Sequence, residues 1–334
     1  MKAIVLHEKN GPGALRFEDV EDPVVGPGEV VVRISAAALN RRDLYVTYGM
    51  YPGIKLPCVL GSDAIGEVIS VGDGAHAEVG ATVVIDPTLG WGDDERAPGP
   101  SGIRILGVPD RGTFAELVAI PAVNVHPVPV HLSAHEAAAL PLAGVTAFRS
   151  TVARGGAAPG VTMLVPGIGG GVATLCVQFA VACGARVFVT STTDAKIDAA
   201  VSELGAAGGV NTTAEDWPAQ LKELAGPLDV VVDSLGGPLF GQYPRLLRIG
   251  GTIVSFGATA GPVPELVLPT LFLKHIDVLG TAMGSPADFA GMLKLVAKHE
   301  IRPLVAAAYP LAETQAALEL MEGGTVMGKI VVDV

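Results

Sequence analysis

Apolar positions fall into two textures along the chain. From residue 1 to about 120 they come as short β-branched runs, such as Val30-Val31-Val32-Arg33-Ile34, Ile65-Gly66-Glu67-Val68-Ile69 and Ala81-Thr82-Val83-Val84-Ile85. Turn signals separate them, among them Gly26-Pro27-Gly28-Glu29 and Gly72-Asp73-Gly74. β-branched runs between Gly/Pro punctuation predict an all-β unit, a sandwich or barrel. Residues 86–112, with Asp93, Asp94, Glu95, Arg96, Pro98, Gly99 and Pro100, read as a long surface connection. Trp91 within it is either a lid residue or an anchor for the loop.

From about 122 the texture changes. Near-continuous apolar runs at 161–165, 186–190, 229–233, 251–255 and 276–280 predict strands, with helical stretches such as 193–204 and 239–247 between them. Apolar strands alternating with helices imply a parallel sheet covered on both faces. Ser133-x-x-Glu136 has the form of a capping box that opens a helix. Helices over 287–298 and 312–322, then a strand at 329–334, close the chain.

Composition narrows the class. Of the 334 residues 49% are hydrophobic and 17% charged, the reverse of the balance that keeps a chain disordered. The formal charge of −12 lacks the basic surplus of a phosphate-backbone binder, so nucleic acid is not an expected partner. Three cysteines with no CxxC pair give neither a disulfide scaffold nor a four-cysteine zinc site. Charge arrives too early after Met1 for a signal peptide, and the expected compartment is cytoplasmic. No charge interrupts the run between Arg154 and Arg186, long enough to span a bilayer. Pro159, Pro166 and the glycines at 167, 169, 170 and 171 divide it, so it reads as a buried strand, a tight turn and a buried helix rather than a membrane span.

That turn carries the first chemistry. Val161–Val165 leads into Pro166-Gly167-Ile168-Gly169-Gly170-Gly171-Val172-Ala173 and then a helical run to Cys183. Strand, glycine turn and helix together form a pyrophosphate cradle: glycine permits close backbone approach, and the helix N-terminus offers unpaired N–H groups. Val172 replaces the third glycine of the strict pattern, and small Ala173 fits G-x-x-G-x-x-A. At the tip of the next strand, Thr190-Ser191-Thr192-Thr193 carries no carboxylate for ribose hydroxyls, and Lys196 follows. Hydroxyls with a lysine suit a 2′-phosphate, so NADP(H) is expected rather than NAD(H). The alternative for Lys196 is a solvated helix lysine.

The order of these parts is similar to that of the medium-chain dehydrogenase/reductase superfamily. The matching stretches are Ala38-Leu39-Asn40-Arg41-Arg42-Asp43, Leu60-Gly61-Ser62-Asp63-Ala64-Ile65-Gly66-Glu67-Val68, Gly112-Thr113-Phe114-Ala115-Glu116, Leu140-Pro141-Leu142-Ala143-Gly144-Val145-Thr146-Ala147, the glycine loop, and Met327-Gly328-Lys329-Ile330-Val331. The resemblance implies an α/β protein with a GroES-like β catalytic domain at 1–121, a Rossmann doubly wound parallel-sheet domain at 122–284 and a return segment at 285–334. It implies a nicotinamide held in a cleft between the domains. Zinc-dependent members place Cys near Asn40, His at Ser62 and a second Cys near Leu142, so the resemblance is to the zinc-independent branch of quinone oxidoreductases and 2-enoyl reductases. No zinc is expected, since a catalytic ion needs about three protein ligands of N, O or S type. His131 and His135 are expected to be ordinary surface or loop residues, and Cys176 and Cys183 to be core.

Residue by residue, the resemblance implies a substrate-side role for Tyr51, as the phenol that stabilises or protonates an enolate; the alternative is a packed ring in a Gly-x-Tyr-Pro turn. Asn40 matches an amide that orients nicotinamide or substrate, with turn-capping as its alternative. Thr146 matches a residue at the nicotinamide end, and Gly257 sits where the carboxyl ends of a parallel sheet meet ligand. Lys329 matches a lysine near the cofactor, with an exposed strand start as its alternative. Asp43 and Asp63 are expected to pair with Arg41 or Arg42. The expected activity is NADPH-dependent reduction of a quinone or an α,β-unsaturated carbonyl compound. A carbonyl reductase of the same fold, and a non-catalytic NADPH-binding protein, stand as alternatives. The partners expected are a small-molecule substrate and a second copy of the chain, paired through the strand edge at 276–281.

Overall fold

The computed structural model describes all 334 residues, which form two compact units, Met1–Ala143 with Ser285–Val334, and Gly144–Gly284. In the first unit a mixed sheet runs in the order Val125–Pro127, Thr82–Ile85, Asp63–Val71, Glu29–Ala38, Lys329–Asp333 and Val305–Pro310. The strand Leu117–Pro121 also pairs with Glu29–Ala38, and a second sheet joins Leu15–Asp19, Lys2–Leu6 and Cys58–Val59. Alternation places Val30, Val32, Ile34, Val68, Val83 and Ile85 in one apolar core with Phe114 and Ile330. The C-terminal strand pairs in register with Ala36–Ala38, so Lys329 comes beside the start of the Asn40 segment. Only tertiary pairing across nearly 300 residues makes that meeting.

The second unit holds a six-stranded sheet, all parallel, in the order Gly208–Asn211, Arg186–Ser191, Thr162–Val165, Leu228–Asp233, Leu247–Ser255 and Asp277–Gly280. This is the 3-2-1-4-5-6 order of a doubly wound nucleotide-binding sheet, with its switch point beside the first strand. Glycine-rich Gly208–Asn211 escapes a propensity reading because Gly is depleted in strands. Close packing demands it: a Cβ on Gly209 would lie 2.8 Å from the Val189 carbonyl oxygen. The helix expected over 239–247 is instead two short turns, Gly237–Phe240 and Tyr243–Leu246, followed by strand. Pro244, lacking an N–H, sits at the start of the second turn, where no intrahelical bond is required of it.

The division between units corrects the expected boundary at 121/122. Residues 122–143 belong with the first unit, because Val125–Pro127 pairs with Thr82–Ile85 and the short helix Ala134–Ala138 packs on the strands Glu29–Ala38 and Asp63–Val71. That helix opens with the expected box: Ser133 N donates to the Glu136 carboxylate at 2.7 Å, and Glu136 N donates back to Ser133 Oγ at 3.3 Å. Arg302 pairs with the same Glu136. Within the uncharged run the helix Gly171–Ala182 has only 12 residues, and no helix of the chain is long and apolar enough to cross a membrane. The 86–112 connection is not structureless, as Thr88–Leu89 pairs with Arg104–Ile105. Trp91 is 3% exposed and donates to the Asp94 carbonyl at 2.8 Å, which makes it the anchor of that loop. Cys176 is buried, while Cys183 is half-buried at the helix end.

Candidate active site

The glycine loop leaves the strand Thr162–Val165 at the switch point of the sheet. Gly167 and Gly169 have φ of +68° and +147°, which side chains disfavour, and a Cβ on Gly167 would strike Leu235 at 2.7 Å. Ile168 N donates to the Thr190 carbonyl and Gly167 N to Thr190 Oγ1, tying the loop to the second strand. Gly170 caps the helix Gly171–Ala182 with an ordinary φ of −74°, and a Cβ there would meet nothing within 4 Å. No side chain caps that helix. The N–H groups of its first turn, including those of Gly171 and Val172, have no intrahelical partner, an arrangement suited to an anion. A pyrophosphate therefore fits this cradle.

The other expected cofactor residues of this unit differ in their surroundings. The Lys196 side chain lies over the loop, with Nζ 3.2 Å from where a Gly169 Cβ would stand, and partial burial lowers its ammonium pKa. Ser191 is buried at the end of its strand and accepts from Thr193 N at 3.1 Å, while Thr192 is exposed. Gly257 is pressed against the Ser234 carbonyl, 2.8 Å from a would-be Cβ. Thr146 is buried in the helix Pro141–Phe148, its carbonyl accepting from Ser150 Oγ. One element is unexpected: Asp233, buried at the end of its strand, accepts from Leu235 N, Gly236 N and Tyr243 Oη. It shapes the 234–237 turn beside Gly167, and burial raises its pKa.

In the first unit the structure gathers the Asn40 and Gly61–Asp63 segments, Leu142 and Lys329 around one buried carboxylate. Asp63 is fully buried; its Oδ2 accepts from Asn40 Nδ2 and Lys329 Nζ, both at 2.9 Å, and its Oδ1 accepts from Leu142 N at 2.7 Å. Lys329 Nζ donates twice more, to Asn40 Oδ1 at 2.6 Å and the Leu39 carbonyl at 2.7 Å. All three ammonium donors are thereby spent. One alternative falls. Lys329 is buried, which removes the exposed strand start as its alternative, and the Asn40 side chain bonds within the protein through both Oδ1 and Nδ2. The Asn40 backbone N–H donates to the Asp43 carboxylate at 2.8 Å, at the start of the helix Arg41–Thr47.

Nor do the arginines pair with the carboxylates as expected. Arg41 is exposed, whereas Arg42 is buried and donates to Ser62 Oγ at 2.6 Å and to the carbonyls of Leu106 and Val108 at 2.8 and 3.4 Å. The Tyr51 ring stacks on that guanidinium, 4.7 Å from centroid to Cζ, and its hydroxyl makes no hydrogen bond. Asp43 keeps one buried oxygen without a partner, and desolvation, opposed by Arg42, lifts its pKa to about 6. Gly61, at φ +94°, has Phe114 N 2.7 Å from a would-be Cβ, and Thr113 Oγ1 donates to the Asp63 carbonyl. Sequence reasoning names Asp63 but misses its central place, which no local motif signals.

Asp86, at the root of the 86–112 loop, is buried, and desolvation raises its pKa to about 7. Its carboxyl accepts from Thr88 N, and Asn124 Nδ2 bridges the Asp86 and Thr88 carbonyls. The folded value lies above the unfolded one near 3.9, so the stability this group contributes is present below that value and lost as pH rises toward 7. Asp86→Asn is expected to raise the melting temperature by several degrees at pH 8, with a gap over wild type that narrows toward pH 5. Thermal unfolding at the two pH values checks it.

A family described as alcohol dehydrogenase GroES-like domain matches residues 26–130, and one described as zinc-binding dehydrogenase matches residues 171–298. A zinc-type alcohol dehydrogenase-like protein of Leptosphaeria maculans is 36% identical over 87% of this chain and 85% of its own length. The chain belongs to the medium-chain dehydrogenase/reductase superfamily of oxidoreductases. An acryloyl-coenzyme A reductase of Metallosphaera sedula is 31% identical over 99% of both chains. A solved NAD-dependent alcohol dehydrogenase superposes with a TM-score of 0.94 at 36% identity, covering both chains fully.

The superfamily includes zinc enzymes, so the fit of an ion to these residues follows from the donors. At the three places where zinc-dependent members have ligands stand Asn40, whose amide is engaged by Asp63 and Lys329; Ser62, whose hydroxyl donates to Leu106 O and accepts from Arg42; and Leu142, which has no donor atom. A zinc site wants three thiolate, imidazole or carboxylate donors. Of the two carboxylates beside these positions, Asp63 is already neutralised by the Lys329 ammonium and Asp43 accepts from Asn40 N, so three free donors are not present. The residues do not fit zinc.

Proposed function

We propose that the chain is a zinc-independent, NADPH-dependent reductase that delivers hydride to an α,β-unsaturated carbonyl compound or a quinone. The single observation that carries this reading is the Lys329 ammonium bonded to Asp63 and Asn40 where a metal-dependent relative needs ligands. Without a Lewis acid to polarise an alcohol, oxidation of simple alcohols loses its usual electrophile. An already electron-poor C=C bond or quinone needs none. The acryloyl-coenzyme A reductases among the similar proteins support the enoyl class.

A bound nicotinamide supplies the hydride. The backbone N–H groups that open the helix Gly171–Ala182 would hold its pyrophosphate, and Lys196 over Gly169 would favour a 2′-phosphate. When hydride adds at the β-carbon, negative charge develops on the carbonyl oxygen and the α-carbon needs a proton. The unbonded Tyr51 hydroxyl, on a ring 4.7 Å from the Arg42 Cζ, would stabilise that charge or donate that proton.

The test is NADPH oxidation by EDTA-treated enzyme offered an enone, with product identification. A saturated ketone is expected. An allylic alcohol would replace this reading with that of a carbonyl reductase, and firm NADPH binding with no turnover of enone or quinone would favour the non-catalytic alternative.

The reading includes a homodimer. The edge strand Asp277–Gly280 leaves one side unpaired, Val278 is exposed, and Leu268, Phe272 and Leu273 nearby in the chain are each more than half exposed. An apolar edge of this kind pairs with a second copy; sedimentation as a monomer at micromolar concentration would remove that part of the proposal.

A further inference from the structure

We infer that Lys329 is a tethered cation: its Nζ sits in an oxygen cage that suits a primary ammonium and not zinc, and this ammonium positions the segments around Asp63. Three oxygens from three different residues define the cage, Leu39 O at 2.7 Å, Asn40 Oδ1 at 2.6 Å and Asp63 Oδ2 at 2.9 Å. These separations are those of charge-assisted N–H···O bonds, and three acceptors match three donors. The lysine is 4% exposed and Asp63 not at all, so bulk water does not share the work.

Each acceptor is itself fixed. Asn40 is oriented through its Nδ2 bond to Asp63, and Leu39 N is tied to the Ile330 carbonyl, next to Lys329 in the chain. Asp63 is anchored at its other oxygen by Leu142 N. Leu142 N and Ile330 O hold Asp63 and Leu39 from outside the cage, whereas Asn40 and Asp63 hold each other, so the ammonium is the group that joins all three acceptors. The donor set has a single carboxylate and no thiolate or imidazole, which suits an ammonium and not zinc, whose sites take at least three thiolate, imidazole or carboxylate ligands. Removing the cation therefore frees Asn40, which opens the helix Arg41–Thr47, and Asp63, which holds Leu142 N at the first turn of Pro141–Phe148. Lys329 is thus a positioning residue, and the inference stands whichever bond the enzyme reduces.

Lys329→Ala deletes the equivalent of n-propylammonium. Thermal unfolding of the full chain is expected to show a melting temperature lower by about 10 °C, the consequence of a buried charge left without its partner. Added n-propylammonium chloride is expected to restore at least half of the loss saturably, whereas tetramethylammonium chloride, n-propanol and zinc chloride do not. Wild type and the Lys329→Ala/Asp63→Asn double variant are expected not to respond to n-propylammonium. If Lys329→Ala does not fold alone, the readout becomes soluble refolding yield from denaturant with n-propylammonium against tetramethylammonium. Equal effects of the two ions, restoration by zinc, or an unchanged melting temperature on removing Lys329 would each overturn the inference. None of these readouts requires turnover, so their failure is distinct from failure of the reductase reading.

Discussion

Gly170→Asp is expected to leave the protein as stable as wild type, or slightly more so, while weakening nicotinamide nucleotide binding about 100-fold or more. The backbone at Gly170 is extended, with φ −74° and ψ 156°, so any residue accepts it. A Cβ there enters open space. Aspartate at a helix N-cap accepts from the first-turn N–H groups and suits the helix dipole, worth about 1 kcal/mol against a side chain that cannot cap. Those same N–H groups are the ones a pyrophosphate would use. A resident carboxylate takes them and repels the incoming anion, so affinity should fall about 100-fold or more, roughly 2.7 kcal/mol. Calorimetric titration with NADPH and NADH, beside a melting curve, separates the two effects. Unaltered nucleotide affinity in a folded variant would reduce the glycine loop to a tight turn that binds nothing.

Tyr51→Phe should lower turnover on an enone by about 100-fold or more, the ordinary reach of a positioned proton donor. Substrate KM and the melting temperature should hardly move, for reasons visible in the local contacts. The ring keeps its seat on the Arg42 guanidinium when it becomes phenylalanine, and the hydroxyl it loses bonds to nothing in the protein. A merely packed ring would leave kcat unchanged. Steady-state kinetics on the purified variant decides between the two: full turnover would remove Tyr51 from the chemistry and leave Arg42 as the reason a ring occupies the turn.

The chain itself disclosed its unit types because each depends on short-range periodicity. Five strands of the parallel sheet were legible in apolar runs of four to six residues, and the glycine loop lay where strand, turn and helix signals meet. The strand Gly208–Asn211 was not, since its glycines are selected by contact with Val189 and Ile197 rather than by propensity. The unit boundary was misplaced by about twenty residues for a related reason. Nothing local in 122–143 announces that its short strand adds to Thr82–Ile85.

The candidate site divides the same way. Asn40, Asp63 and Lys329 were each singled out by resemblance, yet assigned to different tasks. A residue's type tells which bonds it is able to make; which partners it meets is a matter of register. The antiparallel pairing of Val331–Asp333 with Ala36–Ala38 carries Lys329 to the Leu39 carbonyl, and the pairing of Glu29–Ala38 with Asp63–Val71 brings Asp63 beside them. By itself, then, the sequence determined the two kinds of fold, the glycine loop between strand and helix, and the absence of sulfur or imidazole at the three metal positions. Tertiary structure alone decided that the lysine near the C-terminus would neutralise a buried aspartate, because that contact spans 266 positions and is set by strand register, which no local pattern encodes.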